Sequence, residues 1–243
     1  MICTYFDRYL LTPKLCFGFV LTLDVTAELH SVSDPVRIGG VMRASQNFRQ
    51  RPNVFISAKA ATAIPIAHEL VRDALVQASL DPTVRSIEFI PTVAAFGDII
   101  ALNAIVLRGD AGSKVLDIVE TRPLRSIDDE GLVLLAFDHL GLTAHTITAA
   151  DLRRQPKAAN SSLVWSCRYT RVPASDRVRV LQALGEDGPM PLAGLSAEVR
   201  WSVDPVAGVL ALACLDLVEL DLASIPLGPE TVVRRRTPEG DAR

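Results

Sequence analysis

The chain has no pair of cysteines or histidines at the short spacing that metal or redox centres use. Its four cysteines and four histidines are scattered over 243 residues, at Cys3, Cys16, Cys167, Cys214, His30, His68, His139 and His145. Structural zinc sites and dithiol redox centres place such residues a few positions apart. We therefore interpret the cysteines as reduced thiols, which is typical of a cytoplasmic protein.

The sequence also lacks the short motifs that mark several enzyme classes. It contains no P-loop, no glycine-rich dinucleotide fingerprint, no GxSxG elbow and no HExxH zinc motif. Its formal net charge is only −3, so the surface as a whole is not attracted to nucleic acid. Any binding of DNA must then depend on a local cluster of basic residues.

The apolar run Leu15–Leu23 is too short to span a bilayer, since it has nine residues. It could be the core of a signal peptide, but Asp24 lies where small cleavage-site residues are needed. The alternative is that translation starts at Met42, so residues 1–41 are an extension without a defined fold. Apolar residues make up 49% of the chain and charged residues 22%, which predicts a globular protein with no membrane association.

The most informative stretch is Lys114–Pro123, which is predicted to be one buried strand. Its β-branched apolar residues suit a pleated sheet, and the final proline cannot continue a ladder. Glu120 and Arg122 are two residues apart, so a strand would place both side chains on one face. A glutamate followed by a cation at a strand end is half of a metal-nuclease pattern, in which the carboxylate holds a divalent metal. The alternative is a surface pair without chemistry.

The segments around this strand predict an α/β domain. We expect a helix over Ile64–Leu80, strands over Val84–Pro91 and Ile99–Leu107, a helix over Ser126–Leu140 and a strand over Leu142–Thr148. Because the second of these strands is almost entirely apolar, it is predicted to be buried on both faces. The second helix has Ser126 or Asp128 as its N-cap. Its expected apolar stripe consists of Leu132, Leu135, Ala136, His139 and Leu140.

A locally basic segment, Ala149–Arg179, follows this domain. It contains Arg153, Arg154, Lys157, Arg168, Arg171, Arg177 and Arg179 against Asp151 and Asp176. Within it, Asn160–Tyr169 is predicted to be a helix packed on the core. Two interpretations of the charges stay open, a solvated helix face or a surface that contacts phosphate groups.

The remaining chain predicts a winged-helix-like domain over residues 173–236, with a tail over residues 237–243. Helices are expected over Val178–Leu184, Leu192–Val199 and Asp204–Asp216, followed by a hairpin of Leu217–Leu222 and Thr231–Arg235. The third helix has no Arg, Lys, Asn or Gln to reach base edges, so sequence reading by that helix is not expected.

Several segments together resemble TnsA-type transposon endonucleases, which belong to the PD-(D/E)XK nuclease superfamily. Leu70-Val71-Arg72-Asp73 and Asp81-Pro82-Thr83-Val84 are similar to two segments of that family. The stretch from Thr148 to Pro156, together with Asn160, is similar to the segment after the family's last core strand. The resemblance covers about residues 48–235. It implies a restriction-endonuclease-like αβββαβ core over residues 42–172, followed by the winged-helix-like domain.

The same resemblance implies that the catalytic motif is eroded. The family's helix glutamate falls at Val71, its strand aspartate near Asn103 and its lysine at Arg122, and only Glu120 keeps the expected residue type. Metal-dependent cleavage needs carboxylates that hold Mg²⁺. Valine offers no ligand, and arginine stays protonated and cannot act as a base.

The first functional hypothesis is a catalytically degenerate nuclease-like protein that acts by binding. Its partners would be DNA, or a protein such as a transposase or a second copy of the chain. The residues that would contact DNA are Arg153, Arg154, Lys157 and Arg168.

Two other hypotheses come from different classes. One is an active Mg²⁺-dependent endonuclease with a shifted site, in which Glu69 and Asp98 join Glu120 as metal ligands. The other is an unrelated regulator that reads DNA with its winged helix. We favour the first hypothesis, the degenerate nuclease-like binding protein. Mg²⁺ is expected as a cofactor only if nuclease activity remains.

Overall fold

The computed structural model describes residues 53–237, and the predictions for residues 1–41 and for most of the tail lie outside them. The helices are α1 (Glu69–Leu80), α2 (Ile127–His139), α3 (Ala149–Leu152), α4 (Lys157–Ser166), α5 (Ala174–Glu186), α6 (Leu192–Ser196) and α7 (Pro205–Cys214). The strands are β1 (Val54–Phe55), β2 (Ile64–Pro65), β3 (Val84–Ala95), β4 (Asp98–Gly109), β5 (Gly112–Ile118), β6 (Thr143–Ile147), β7 (Met190–Pro191), β8 (Val218–Leu220) and β9 (Val232–Arg235). Among these described residues, no helix has both the length and the apolar character needed to cross a membrane.

The central sheet has four strands in the order β3-β4-β5-β6. Strand β4 is antiparallel to both of its neighbours, β3 and β5, and β6 is parallel to β5, with α2 as the crossover between them. The fold is therefore mixed α/β, and its elements follow the predicted order of helix, three strands, helix and strand. Successive residues of β4 and β5 point to opposite faces. Accordingly, α1 packs with Leu107 and Leu116, whereas α2 packs with Val106 and Val115.

Helix α1 is shorter than the predicted span Ile64–Leu80 because the residues before Glu69 are extended. Ile64 pairs with Phe55 in the small β1–β2 sheet. The helix begins where the Nδ1 atom of His68 accepts a hydrogen bond from the amide of Leu70 at 3.1 Å. It ends before Asp81 and Pro82, as predicted.

The prediction that Ile99–Leu107 is buried on both faces is wrong for its first half. Ile100, Leu102 and Ala104 are buried under α2, whereas the residues between them are exposed, and Ile99 has 79% of its surface accessible. Helix α1 covers the opposite face only near Ile105 and Leu107. The apolar run therefore belongs to a strand whose face opposite α2 is covered only over its second half.

The prediction of one continuous strand over Lys114–Pro123 is also wrong. Strand β5 ends at Ile118, and Val119–Thr121 forms a single turn of 3-10 helix. Glu120 lies in that turn and Arg122 follows it, so the two side chains do not share a face of the sheet. The chain leaves the sheet here because the ladder with β6 ends at the pair Ile118 and Ile147.

Helix α2 has the predicted N-cap but not the predicted apolar stripe. The hydroxyl oxygen of Ser126 accepts a hydrogen bond from the amide of Asp129 at 3.1 Å, as expected for a cap. Of the predicted stripe only Ala136 is buried, together with Val133; the other four members, Leu132, Leu135, His139 and Leu140, are exposed. The stripe fails because α2 packs on β4 with a narrow contact, which leaves apolar residues on its outer side.

The last part of the described chain combines four helices with a three-stranded sheet. The sheet order is β7-β9-β8, and β9 is antiparallel to both neighbours, which includes the predicted C-terminal hairpin. Helix α4 begins three residues before the predicted start at Asn160 and ends at Ser166. The buried side chain of Asn160 fixes the loop before β9, because its Nδ2 donates to the carbonyls of Leu222 and Ile225 at 2.9 and 2.8 Å.

A partly buried ion network joins the turn after α1 to the three-stranded sheet. Arg236 lies 3.2 Å from the carboxylate of Asp216 and 2.8 Å from that of Glu219, and its guanidinium donates to the Val84 carbonyl at 3.0 Å. Lys59 lies 3.4 Å from the same Asp216 carboxylate. Burial lowers the pKa of Lys59, although the Asp216 carboxylate opposes that effect. The domain boundary predicted near residue 173 falls between α4 and α5 and stays a prediction.

Candidate functional site

The central sheet opens into a fork because β4 and β5 pair no further than Val106 and Val115. Beyond this pair, β4 continues beside β3 alone and β5 continues beside β6 alone. The fork forms the floor of an open groove with a volume of about 1790 Å³. His68 and Val71 line it from the side of α1, and α2 provides the opposite wall.

Asp117, near the end of β5, is one of four acidic residues that line this groove, with Asp98, Asp129 and Glu130. The guanidinium of Arg122 donates to both of its oxygens, with Nε at 2.8 Å from Oδ1, and the hydroxyl of Thr146 donates to Oδ2 at 2.8 Å. The Asp117 side chain is 22% exposed. Bidentate pairing of this kind fixes both groups in position. Because Arg122 binds both oxygens of Asp117, these oxygens are not free to bind a metal ion.

Asn103 lies across the fork in a β-bulge of β4. The register of β3 and β4 shifts between Ile90 and Thr92, which leaves β4 with one extra residue there. Asn103 adopts a φ of 47°, in the left-handed region that asparagine tolerates better than most residues. Next to it, the carbonyl of Leu102 accepts a hydrogen bond from Arg125 at 3.3 Å. Because of the bulge, the exposed amide side chain of Asn103 lines the groove.

Three of the four positions related to catalytic residues by the resemblance line this one groove. They are Val71, Asn103 and Arg122. None of the three is a carboxylate or a lysine, so none of them supplies the metal ligand or the base that the resemblance implies at its position.

Glu120 is not among the residues that line the groove. Its Oε1 atom accepts a hydrogen bond from the amide of Ala149 at 2.9 Å. This contact lies beside the capping box that Thr148 and Asp151 form at the start of α3. Glu120 therefore satisfies a free backbone amide where α3 begins.

The two candidate substitutes do not join Glu120. Glu69 is in the first turn of α1, with a side chain that is 74% exposed and 3.3 Å from Arg72. Asp98 also borders the groove, but it is five residues from Asn103, which is about 16 Å along a strand. Within residues 53–237, no group of three or more His, Cys, Asp or Glu side chains is arranged to hold a metal ion.

The four residues predicted to contact DNA lie at the two ends of α4. Arg153 and Arg154 are exposed just before it, and Lys157 is its first residue. Arg168 follows its last turn and packs on Tyr169, with the guanidinium carbon 4.2 Å from the ring centroid. Since a helix of ten residues is about 15 Å long, the structure brings three of these cations together and separates Arg168 from them.

Helix α7 occupies the position of the third predicted winged-helix element, and it is buried. Every residue from Gly208 to Cys214 is buried, against α4, α6 and β8. The start of the helix is as the sequence predicts: Asp204 caps it and Pro205 occupies its first turn. With its side chains in the core, α7 offers no face to a DNA groove.

Sequence reasoning missed Asp117 as a groove residue. The signal is present in the sequence, since Asp117 is the only acidic residue in the otherwise apolar segment from Val115 to Val119. A strand that continues to Pro123 makes Glu120 the acidic residue at its end, and Asp117 is then an internal position.

Replacing Arg122 by alanine is expected to raise the pKa of Asp117. The Arg122 guanidinium holds this pKa below its usual range, Thr146 adds to the effect, and partial burial opposes it. Because the folded pKa lies below the unfolded value, the pair stabilises the fold above about pH 4, and this stabilisation is lost as the pH falls through the folded pKa. The check is an NMR titration of the Asp117 carboxyl carbon. Arg154→Ala should leave this pKa unchanged, and an unaltered value in Arg122→Ala would contradict the assignment.

Comparison of the chain with known protein families gives no match, and comparison with curated proteins gives none either.

Proposed function

We propose that this chain is a nuclease-fold binding protein, related to TnsA-type endonucleases, that does not cut DNA with the help of metal ions. Its partners are DNA and a protein, in keeping with an origin in transposition. The observation that carries the proposal is the groove at the fork, where Val71, Asn103 and Arg122 meet.

The arrangement of the elements supports the nuclease-fold part of the proposal. A helix, an antiparallel three-stranded sheet, a crossover helix and a parallel fourth strand follow each other in the order of a restriction-endonuclease-like core. In such a core, the divergence of the two central strands supplies a natural cleft for a phosphodiester. Here that cleft contains Asp117, whose two oxygens are already engaged by Arg122 and Thr146.

The absence of a ligand group in the described residues supports binding without cleavage. Two-metal cleavage needs several carboxylates on adjacent ions. Among the acidic side chains that line the groove, Asp117 is bound to arginine, and within residues 53–237 no three His, Cys, Asp or Glu side chains are arranged to hold a metal ion. The Arg122 guanidinium is already engaged by Asp117 through two of its nitrogen atoms, so a phosphate bound in the groove would compete with that carboxylate for the arginine. The support for binding without hydrolysis is therefore the lack of a metal-ligand group within the described residues.

The three helices α5, α6 and α7 with the β7-β9-β8 sheet support a winged-helix-like domain. The burial of α7 argues that this domain does not read bases with its third helix. We therefore assign the winged-helix-like domain a role in packing. The DNA contacts come instead from the basic residues just before α4 and at its first position.

The first test is nicking of supercoiled plasmid in Mg²⁺ and in Mn²⁺, with Glu120→Ala beside the unaltered protein. We expect no cutting by either protein, with both folded by circular dichroism. Glu120 contacts the start of α3 rather than the groove, so its removal should have no effect on the plasmid. Cutting that disappears in the variant would refute the proposal and favour the shifted-site endonuclease.

The second test concerns DNA binding and its dependence on salt. The triple variant Arg153→Ala, Arg154→Ala, Lys157→Ala should weaken binding of duplex DNA and reduce the slope of log affinity against log salt by about three. Fluorescence anisotropy with a labelled duplex at low salt measures both. Arg108→Ala is the matched control, because Arg108 pairs with Glu88 at 2.7 Å on another part of the sheet. Failure of the unaltered protein to bind duplex or single-stranded DNA would remove the nucleic-acid half of the proposal.

A further inference from the structure

The arginines of the described chain form two groups that differ in their partners. Every described arginine before residue 150 forms a salt bridge with a carboxylate; these are Arg72, Arg85, Arg108, Arg122 and Arg125. The stretch from Arg168 to Arg200 contains five more, and none of them forms a salt bridge with a residue in the range 53–237; they are Arg168, Arg171, Arg177, Arg179 and Arg200. Cations without a paired carboxylate attract an anionic partner.

Few acidic side chains lie close to this second group. The acidic residues between Arg168 and Pro205 are Asp176, Glu186, Asp187, Glu198 and Asp204. Asp176 is fully buried, and Glu186 and Asp187 are at the other end of α5, about 15 Å from it along the helix. Asp204 caps α7, and Glu198 is half-buried. The local charge of this part of the surface is therefore positive, although the chain as a whole is acidic.

The buried carboxylate of Asp176 joins α5 to the loop between α6 and α7. Its Oδ1 accepts a hydrogen bond from the amide of Arg200 at 3.1 Å, and its Oδ2 accepts one from the amide of Trp201 at 3.0 Å. The hydroxyl of Ser202 donates to Oδ2 at 3.4 Å. The loop also packs on α7, because a Cβ added at Gly208 would lie 3.4 Å from the Ser202 hydroxyl oxygen. The backbone that carries Arg200 and Trp201 is thus fixed between two helices.

Two arginines of α5 flank the contact with this loop. With about 100° of rotation per residue, Arg177 and Arg179 lie about 100° and 60° to either side of Asp176 around the helix axis. Arg177 and Arg200 are exposed, and Arg179 is half-buried. The backbone positions of three unpaired arginines therefore adjoin the place where the loop meets the helix.

Two aromatic rings are exposed on the same segments. Trp201 is 71% exposed and Tyr169 is 83% exposed, whereas tryptophan in folded proteins is on average highly buried. Tyr169 is seven residues before Asp176, so it lies at most about 25 Å from it. The guanidinium carbon of Arg168 is 4.2 Å from the centroid of the Tyr169 ring, and this cation–π contact holds the exposed ring in place.

Exposed aromatic rings beside unpaired arginines are the chemistry that binds single nucleic-acid strands. Arginine binds the phosphate groups, and aromatic side chains stack on the faces of unpaired bases. In a duplex each base is stacked between its neighbours, so its faces are not accessible to a protein ring. The combination therefore favours an unpaired strand over a duplex.

We propose that the surface formed by Tyr169, Arg177, Arg200 and Trp201 binds single-stranded nucleic acid, with bases stacked on the two rings and phosphates on the arginines. This aromatic–arginine surface is distinct from the cations at the start of α4. The inference goes beyond the duplex binding proposed for those cations and does not depend on it.

Fluorescence anisotropy of the full chain with a labelled oligothymidylate of about 20 nucleotides tests the proposal, since sites of this kind cover up to about 16 nucleotides. Tyr169→Ala and Trp201→Ala should each weaken binding by about fivefold or more, through the loss of stacking. Because they remove no charge, they should leave the salt dependence unchanged. The double variant Arg177→Ala, Arg200→Ala should instead reduce the slope of log affinity against log salt by about 1.4.

Two matched controls remove an exposed aromatic and an arginine elsewhere. Phe96 is 62% exposed at the β3–β4 turn, and Arg108 is paired with Glu88. Phe96→Ala and Arg108→Ala should leave both the affinity and the salt slope of oligothymidylate binding unchanged.

Intrinsic fluorescence locates the bound strand. The chain has two tryptophans, and Trp165 is half-buried and stacked on Phe55, with the ring centroids 5.1 Å apart. Oligothymidylate should quench the emission of Trp201 by stacking on it. Trp201→Phe should remove this quenching and, since it keeps an aromatic ring, should bind more tightly than Trp201→Ala.

Three further arms separate the possible outcomes. Oligouridylate of equal length identifies DNA or RNA as the tighter ligand, and binding of either with the expected variant effects supports the proposal. The variant Arg153→Ala, Arg154→Ala, Lys157→Ala should bind oligothymidylate like the unaltered protein, so loss of duplex binding alone would refute the proposed function and not this inference. Failure of both oligonucleotides to bind at low salt overturns the inference. Tighter binding of polyglutamate, or duplex binding that depends equally on Trp201, overturns it as well.

Discussion

Leu212→Ala is expected to lower the free energy of unfolding by about 3 kcal/mol, with loss of a cooperative native state at moderate urea concentrations. Leu212 is fully buried in α7, among the side chains of the largest described core cluster. Truncating such a residue removes apolar burial and leaves a cavity that the surrounding helices fill only in part, at a total cost of about 2–5 kcal/mol. Urea unfolding followed by circular dichroism measures the loss.

The matched control lies on the same helix. Val206 is 43% exposed, so Val206→Ala should change the unfolding free energy by no more than about 0.5 kcal/mol. If α7 were a surface helix that enters a DNA groove, both substitutions would have small effects on stability. Equal, small losses from Leu212→Ala and Val206→Ala would therefore contradict the burial of α7 and reopen the regulator hypothesis.

Arg236→Met should destabilise the fold by about 1.5–3 kcal/mol, the range for hydrogen bonds to charged groups, because the Asp216 and Glu219 side chains are 28% and 23% exposed and the pairs are not fully buried. The Arg236 side chain is 8% exposed. Its removal leaves the carboxylates of Asp216 and Glu219 with Lys59 as the one remaining cation of the network, and it leaves the carbonyls of Pro82 and Val84 without a donor. Methionine keeps much of the side-chain volume, so the loss reports the charge and its hydrogen bonds rather than a cavity.

The neighbouring arginine provides the comparison. Arg235 is exposed in β9, and Arg235→Met should change the unfolding free energy by less than about 0.5 kcal/mol. Thermal or urea unfolding of both variants at neutral pH gives the two values. A loss from Arg236→Met no larger than that from Arg235→Met would show that the network does not stabilise the fold.

Local signals in the sequence were sufficient to predict the positions of most of the longer helices and strands. Asp204 and Pro205 predicted the start of α7, and Ser126 predicted the start of α2. The β-branched residues of β6 predicted that strand to within a residue at each end. These features depend on caps, breakers and residue types within a few positions, which a sequence displays directly.

The candidate site was less predictable, because its geometry depends on partners far along the chain. Strand β5 could not be ended at Ile118 without knowing that Glu120 bonds to Ala149, 29 residues later. The predicted apolar stripe of α2 was wrong for Leu132, Leu135, His139 and Leu140, because apolar residues at helical spacing normally face inward, whereas the narrow contact of this helix buries only Val133 and Ala136. The pairing of Asp117 with Arg122 likewise requires the turn that separates them.

The network around Arg236 also has a consequence for the order in which the chain folds. The carbonyls of Pro82 and Val84 are separated from Arg236 by 154 and 152 residues. At a synthesis rate of about 5–20 residues per second, the ribosome adds Arg236 roughly 8–30 s after Val84. During that interval the Pro82 and Val84 carbonyls lack the Arg236 donor, although α1 and the β3–β4 hairpin can already form from contacts close in sequence. The contacts of Arg236 therefore form late, after the earlier elements have folded. Until then, the four-stranded sheet has to be stable without them.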